Sequence, residues 1–169
     1  MSKTAKFVLI LLENANWIEN QALQFYTQLF KDAESSAKKY TEENFSIQKL
    51  MKIQNDFSVE IVMVYEDETP KSFMKLNSSR LYNQNLNANK PICITDIVYS
   101  SPDEIKLLIN RAEEIGIQRK HDLIWVKALK EDLILIEILE AFDFKKFTFQ
   151  KEETDAMSEN HHYFKKKLL

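Results

Sequence analysis

Glycine is almost missing from this chain. Average usage near 7% would place about twelve in a sequence of this length, and Gly116 is the only one among 169 residues. A P-loop, a G-x-G-x-x-G dinucleotide turn and a G-x-S-x-G nucleophile elbow all need glycine, so none of them can be present. Lysine (20) far outnumbers arginine (3) and asparagine is abundant, a bias that an AT-rich genome would also produce. Compositional bias cannot remove a glycine that chemistry requires.

Cysteine is equally scarce. Cys93 stands alone between Ile92 and Ile94, which excludes a disulfide framework and reads as a small buried hydrophobe in a reducing compartment. No stretch approaches the roughly 20 apolar residues of a membrane span. Lys3 and Lys6 precede the apolar run Phe7 to Leu12, but Glu13 and Asn14 end it too early for a signal peptide. A soluble, cytoplasmic protein is expected, with Phe7 to Leu12 as its first strand. The net charge is −3 and basic residues are scattered, so neither nucleic acid nor membrane is an expected partner. Lys165, Lys166 and Lys167 read as a solvated C-terminal end.

What is present is apolar periodicity. About 44% of residues are apolar and 29% charged, enough for a single globular domain over residues 1–169. Ile18, Ala22, Phe25 and Leu29 predict a helix over 17–30, capped by Asn14 or Asn16. Residues 31–44 read as helix plus loop, and Ser46 opens a short helix with Ile47, Leu50, Met51 and Ile53. Val59 to Tyr65, a turn over Glu66 to Pro70, and the alternation from Ser72 to Leu76 predict a hairpin. Residues 78–90 lack periodicity and read as a loop. In Pro91 to Tyr99, Ile92 and Ile94 share one parity and Ile97 and Tyr99 the other, which places a β-bulge near Thr95 and Asp96.

Ile105, Leu108, Ile109, Ala112 and Ile115 form one face of a helix that Ser101 opens and Gly116 is expected to end. Leu123 to Val126 is a strand parallel to 91–99, residues 131–142 a helix, and 144–151 with 161–168 a hairpin around the polar loop 152–160. The result is an α/β architecture, α+β-leaning, with a mixed central sheet flanked by helices.

That order is shared with the GNAT-superfamily N-acetyltransferases, and three segments carry the resemblance. "VMVYEDETPKSFMKLN" resembles the family's second and third strands, "ICITDIVYS" its bulged fourth strand, and "IWVKALKEDLILIEILEAFDF" its fifth strand and the following helix. The style is closest to the polyamine acetyltransferase branch. The resemblance implies acetyl-CoA held by the fourth strand and by a glycine-rich loop at a helix N-terminus, whose N–H groups bind the pyrophosphate.

The chain departs from the family pattern where that chemistry lies. From Tyr99 and Ser100 it runs straight into "SPDEIKLL", with no glycine. Ser101, Pro102 and Glu104 have the spacing of a capping box, in which the Ser101 hydroxyl is expected to accept from the N–H of Asp103 or Glu104. Asp103 and Glu104 add negative charge where a pyrophosphate would sit. In the family pattern Asp132 stands at an asparagine, Leu135 at an alanine, Asp143 at a glycine and Leu139 at a tyrosine that often protonates the leaving thiolate. Leucine cannot act as a general acid.

Asp96 is the candidate catalytic base and equally reads as a bulge hydrogen bonder. The candidate cofactor-binding residues are Ile97, Val98, Tyr99, Ser100 and Ser101, with Lys106 as a candidate lysine for the pyrophosphate. No metal site is expected, because adjacent His161 and His162 on a strand point to opposite faces and His121 lacks companions at ligand spacing.

Two readings follow from the resemblance. In one, the protein is a GNAT-fold module that has lost the acetyl-CoA loop, needs no cofactor, and binds an unknown small molecule or a protein, a second copy of itself included. In the other, it is an active acetyl-CoA-dependent N-acetyltransferase of a small amine or peptide with an atypical cofactor loop.

Overall fold

In a computed structural model of the protein, residues 2–30, 34–79, 86–148 and 160–168 are described. The elements are β1 (Lys3–Phe7), α1 (Leu12–Leu29), α2 (Glu34–Phe45), α3 (Ile47–Ile53), β2 (Val59–Glu66), β3 (Thr69–Asn77) and β4 (Pro91–Val98). They continue with α4 (Pro102–Gln118), β5 (Leu123–Leu129), α5 (Leu133–Ala141), β6 (Lys145–Phe147) and β7 (His161–Lys167). One seven-stranded mixed sheet runs in the order β1-β2-β3-β4-β5-β7-β6. β4 and β5 are parallel, joined through α4, and the β6–β7 hairpin completes the far side antiparallel to β5.

The sheet separates two cores. On one face α4 and α5 lay Ile105, Leu108, Ile109, Ala112 and Leu139 against β-branched and aliphatic residues of the central strands. On the other, α1, α2 and α3 pack Ile18, Tyr26, Tyr40, Phe45 and Leu50 against Ile61, Met63, Phe73, Val98 and Leu129. The parity switch in β4 is a bulge: Lys75 faces Asp96 while Leu76 faces Ile94, leaving Thr95 as the extra residue. For that reason Ile94 and Ile97 can both reach the α4 face. No helix among the described residues is long and apolar enough to cross a membrane.

Three expectations are corrected. The first strand is Lys3–Phe7, not residues 7–12, and it forms the edge of the sheet against β2. The apolar run is instead the connection into α1, with Ile10 buried and Leu9, Leu11 and Leu12 exposed. Asn14 produces this early helix start, because its side chain accepts from Leu11 N–H at 2.6 Å and donates to the Leu9 carbonyl at 2.6 Å.

Gly116 does not end α4; it lies inside the helix, where a Cβ would meet Leu168 Cδ1 at 2.5 Å. The helix ends in a Schellman pattern, with His121 N–H on Gly116 O at 2.8 Å and Lys120 N–H on Ile117 O at 3.1 Å. Lys120, at φ 62°, takes the left-handed position that glycine usually fills. The third correction is to the final hairpin, whose first strand is only Lys145–Phe147 among described residues. Residues 149–151 of that expected strand, 152–159 of its loop, 80–85 of the loop 78–90, and 31–33 lie outside the described residues.

Candidate functional site

The start of α4 is closed by the protein's own charges. Glu104, 1% exposed, turns its carboxylate back to accept from Ser100 N–H at 2.8 Å, Ser101 N–H at 3.2 Å and the Ser72 hydroxyl. Lys3 reaches over from β1 and donates to Glu104 at 2.9 Å, to Asp103 at 3.0 Å and to the Ser101 hydroxyl at 3.1 Å. Burial alone would raise the Glu104 carboxyl, but hydrogen bonds from Ser72, Lys3 and Ser100 pull it down to about 2. The same contacts with Glu104 and Asp103 raise the Lys3 ammonium.

Half of the expected capping box is therefore present. Glu104 accepts from the Ser101 backbone, but the Ser101 hydroxyl does not cap the helix; it donates to the Asp103 carboxylate instead. Lys3 explains the difference, since it draws both the hydroxyl and Asp103 toward its ammonium.

Ile97, Val98, Tyr99, Ser100 and Ser101 follow the point where β4 and β5 part. The two strands pair from Pro91 opposite Leu123 to Ile94 opposite Val126, and no pair is formed beyond the Thr95 bulge. Ile97 is buried toward the α4 face and Val98 toward the α1 face. Tyr99 bridges the gap: its hydroxyl donates to Asp132 at 2.7 Å, and Asp132 caps α5 by accepting from Leu135 N–H at 3.2 Å. Burial, then the Asp132 contact, pushes the Tyr99 phenol well above its ordinary value. Phe25 stands edge-on to Tyr99 with ring centres 5.0 Å apart. Between Phe25, Tyr26, Ile97 and Leu135 only about 10 Å³ remains, room for about one water.

Asp96 borders the same gap and is 5% exposed. Its Oδ1 accepts from the Tyr40 hydroxyl and from the Tyr26 hydroxyl at 3.1 Å, and its Oδ2 lies 3.7 Å from the Lys75 ammonium. Burial, with Asp96 next in effect, holds the Tyr26 phenol far above its usual range. Lys75 is itself 9% exposed, with its ammonium 4.8 Å from the centre of the Phe45 ring. Burial lowers its affinity for the proton, opposed by Asp96 and reinforced by the nearby charges of Lys49 and Lys127.

Above this pair is a cavity of about 410 Å³ between α2, α3 and the sheet. Lys75, Asp96 and Thr95 line it from the strands, Lys49 and Asp56 from the α3 side, and His161 from β7. Neither Lys75 nor the tyrosines Tyr26 and Tyr40 were among the candidate residues. The trace of Lys75 in the sequence is a lysine inside the apolar strand Phe73 to Leu76, within the third-strand segment that carries the resemblance.

The other candidates separate. His121 is buried and its Nδ1 lies 3.0 Å from the Lys90 carbonyl, tying α4's end to the start of β4. Lys106 borders a surface hollow with Lys3 and Asp103. Cys93 is buried, which pushes its thiol up. Among the described residues no cluster of three or more His, Cys, Asp or Glu side chains could hold a metal ion.

A mixed sheet in which two central parallel strands part beyond a bulge, with a helix starting at the parting, is the framework of the GNAT N-acetyltransferases. The chain has that fold. It is similar to the PaiA N-acetyltransferase of Thermoplasma acidophilum, solved in complex with coenzyme A, at TM-score 0.74 and 15% identity over 99% of both chains. A probable acetyltransferase from Staphylococcus epidermidis matches at TM-score 0.68 and 13% identity, over 98% of this chain and 99% of that one. A GCN5-related N-acetyltransferase from Rhodopseudomonas palustris matches at 0.66 and 15%, over 99% and 98%. No protein-family model matches the sequence, and no curated protein does.

Proposed function

We propose that this protein is a GNAT-fold binding module that does not transfer acetyl groups. The observation that carries the reading is Glu104. Helix N-termini bind anions because their N–H groups are unpaired and the dipole is positive there. Here a buried carboxylate from the helix itself takes the Ser100 and Ser101 N–H groups, and Pro102 has no N–H to offer. An incoming pyrophosphate would have to displace Glu104 and face Asp103. The residues present at this helix start do not fit the pyrophosphate of acetyl-CoA.

Three further features support the reading. The parting of β4 and β5 is bridged by the Tyr99–Asp132 hydrogen bond, with Phe25 packed edge-on to Tyr99. Leu139, buried in the α4-face core, has no proton to give a leaving thiolate. Asp96 already accepts two hydroxyls and faces an ammonium, which suits a positioning carboxylate better than a free base.

The coenzyme A bound to the Thermoplasma protein favours the second reading, an active N-acetyltransferase gripping acetyl-CoA along Ile97 to Ser101 with Asp96 as base. Calorimetric titration with acetyl-CoA and with CoA separates the two. No binding is expected; a Kd within the usual KM range, about 1 μM to 1 mM, would overturn the non-catalytic reading.

A further inference from the structure

We infer that the cavity beneath α2 and α3 is a binding site for a small amino carboxylate, a zwitterion whose carboxylate enters first and pairs with Lys75. The inference rests on the binding-module reading and names the class of ligand such a module takes. At about 410 Å³, the cavity falls within the range of small-molecule sites, roughly 300–1,000 Å³.

Its inner end is positive. Lys75 is more than nine-tenths buried, and an ammonium has three hydrogens to place. Its ion-pair partner among the described residues, Asp96 Oδ2, stands 3.7 Å away, and Asp96 Oδ1 is taken by two tyrosines. The Phe45 ring covers the ammonium from the core side at 4.8 Å. Lys49 and Lys127, half-buried on the same walls, add to the field at Lys75. A carboxylate in the cavity would supply acceptors that Asp96 leaves at a distance, in a desolvated setting where such pairs are strong.

The mouth is negative. Glu43 and Asp56 are exposed at the cavity's outer edge, so the three lysines face three carboxylates, Asp96, Glu43 and Asp56. A ligand of one sign would satisfy one end and oppose the other. A diamine would put an ammonium against Lys75, and a phosphate dianion would bring a second negative charge beside Asp96 with no cation to offer Glu43 and Asp56. An amino carboxylate matches both ends, with its carboxylate on Lys75 and its ammonium toward Glu43.

The test is a titration followed by amide NMR shifts, using glycine, 4-aminobutyrate and 6-aminohexanoate as zwitterions of graded length. Acetate, putrescine and inorganic phosphate serve as single-sign probes. At least one zwitterion is expected to bind more tightly than any single-sign probe, with shifts centred on Lys75, Thr95 and Lys49. Lys75→Met should weaken that binding about tenfold or more, and Lys145→Met, on β6 and outside the cavity, should leave it unchanged. Should Lys75→Met not fold, Lys49→Gln carries the test, with a loss of several-fold.

Stronger binding of putrescine or phosphate, no binding by any zwitterion, or binding indifferent to these lysines would overturn the ligand class. The two readings fail separately. Acetylation of a bound amino carboxylate on adding acetyl-CoA would end the non-catalytic reading and leave the ligand class standing.

Discussion

The two faces of the sheet bury charge in opposite ways. On the α4 face, Glu104 is buried and has its donors supplied by Ser72, Ser100, Ser101 and Lys3. On the α1 face, Lys75 and Asp96 are also buried but border a cavity and stand 3.7 Å apart. A buried charge is tolerated only when its partners are complete. The first arrangement is complete within the chain and fixes a helix start, whereas the second leaves room for a partner from outside. That difference is why the proposed ligand is placed on the α1 face, although the fold's kinship draws attention to the α4 junction.

Truncation at matched positions tests this most severely. Ile109 is wholly enclosed on the α4 face, whereas Ile53 lines the cavity. Ile109→Ala is expected to cost about 2–5 kcal/mol, because its walls cannot collapse to fill the void. Ile53→Ala should cost clearly less, since it enlarges a space already open to water. Urea midpoints for both variants give the answer, and equal losses would break the comparison.

Acid titration probes the closed network next. The Glu104 carboxyl is held at about 2 against an ordinary 4.5, burial being outweighed by its hydrogen bonds. A depressed carboxyl stabilises the fold fully above its unfolded value and loses that contribution as pH falls through the folded one. The expected contribution, about 3 kcal/mol, is therefore whole above about pH 4.5 and fades toward pH 2. Glu104→Gln lacks it throughout, so the stability gap between wild type and variant should shrink across that window. A gap that stays level down to pH 2 would mean that Glu104 is not held by these donors.

The element order was legible because it is written in periodicities that tertiary contacts seldom override: the α4 stripe, the hairpin alternation, the parity switch at Thr95. Boundaries were less so. The Phe7 to Leu12 run has a strand's composition, yet only Phe7 belongs to β1, and the bonds of Asn14 to Leu9 and Leu11 turn the rest into the entry to α1. Gly116 has the look of a helix stop, yet its bareness admits Leu168, while Lys120 adopts the left-handed turn. The candidate site was half legible. The missing glycines and the acidic helix start stand in consecutive residues, but the Lys3–Glu104 contact spans 101 positions and the Tyr26–Asp96 contact 70. Contacts at that range leave no local pattern.

The smallest expected effect is also the finest measure of how open the Asp96 site is. Tyr40→Phe keeps the ring, and with it the edge contact to Tyr26 at 4.7 Å, while removing one hydroxyl from Asp96. Hydrogen bonds to charged groups contribute about 1.5–3 kcal/mol, but Asp96 retains Tyr26 and Lys75, and water from the adjoining cavity can take the vacated place. The expected cost is therefore about 1 kcal/mol, read from the urea midpoint at pH 7. A loss of about 3 kcal/mol would show Asp96 to be sealed like Glu104, and the cavity would then have no access to the pair that gives its inner end a charge.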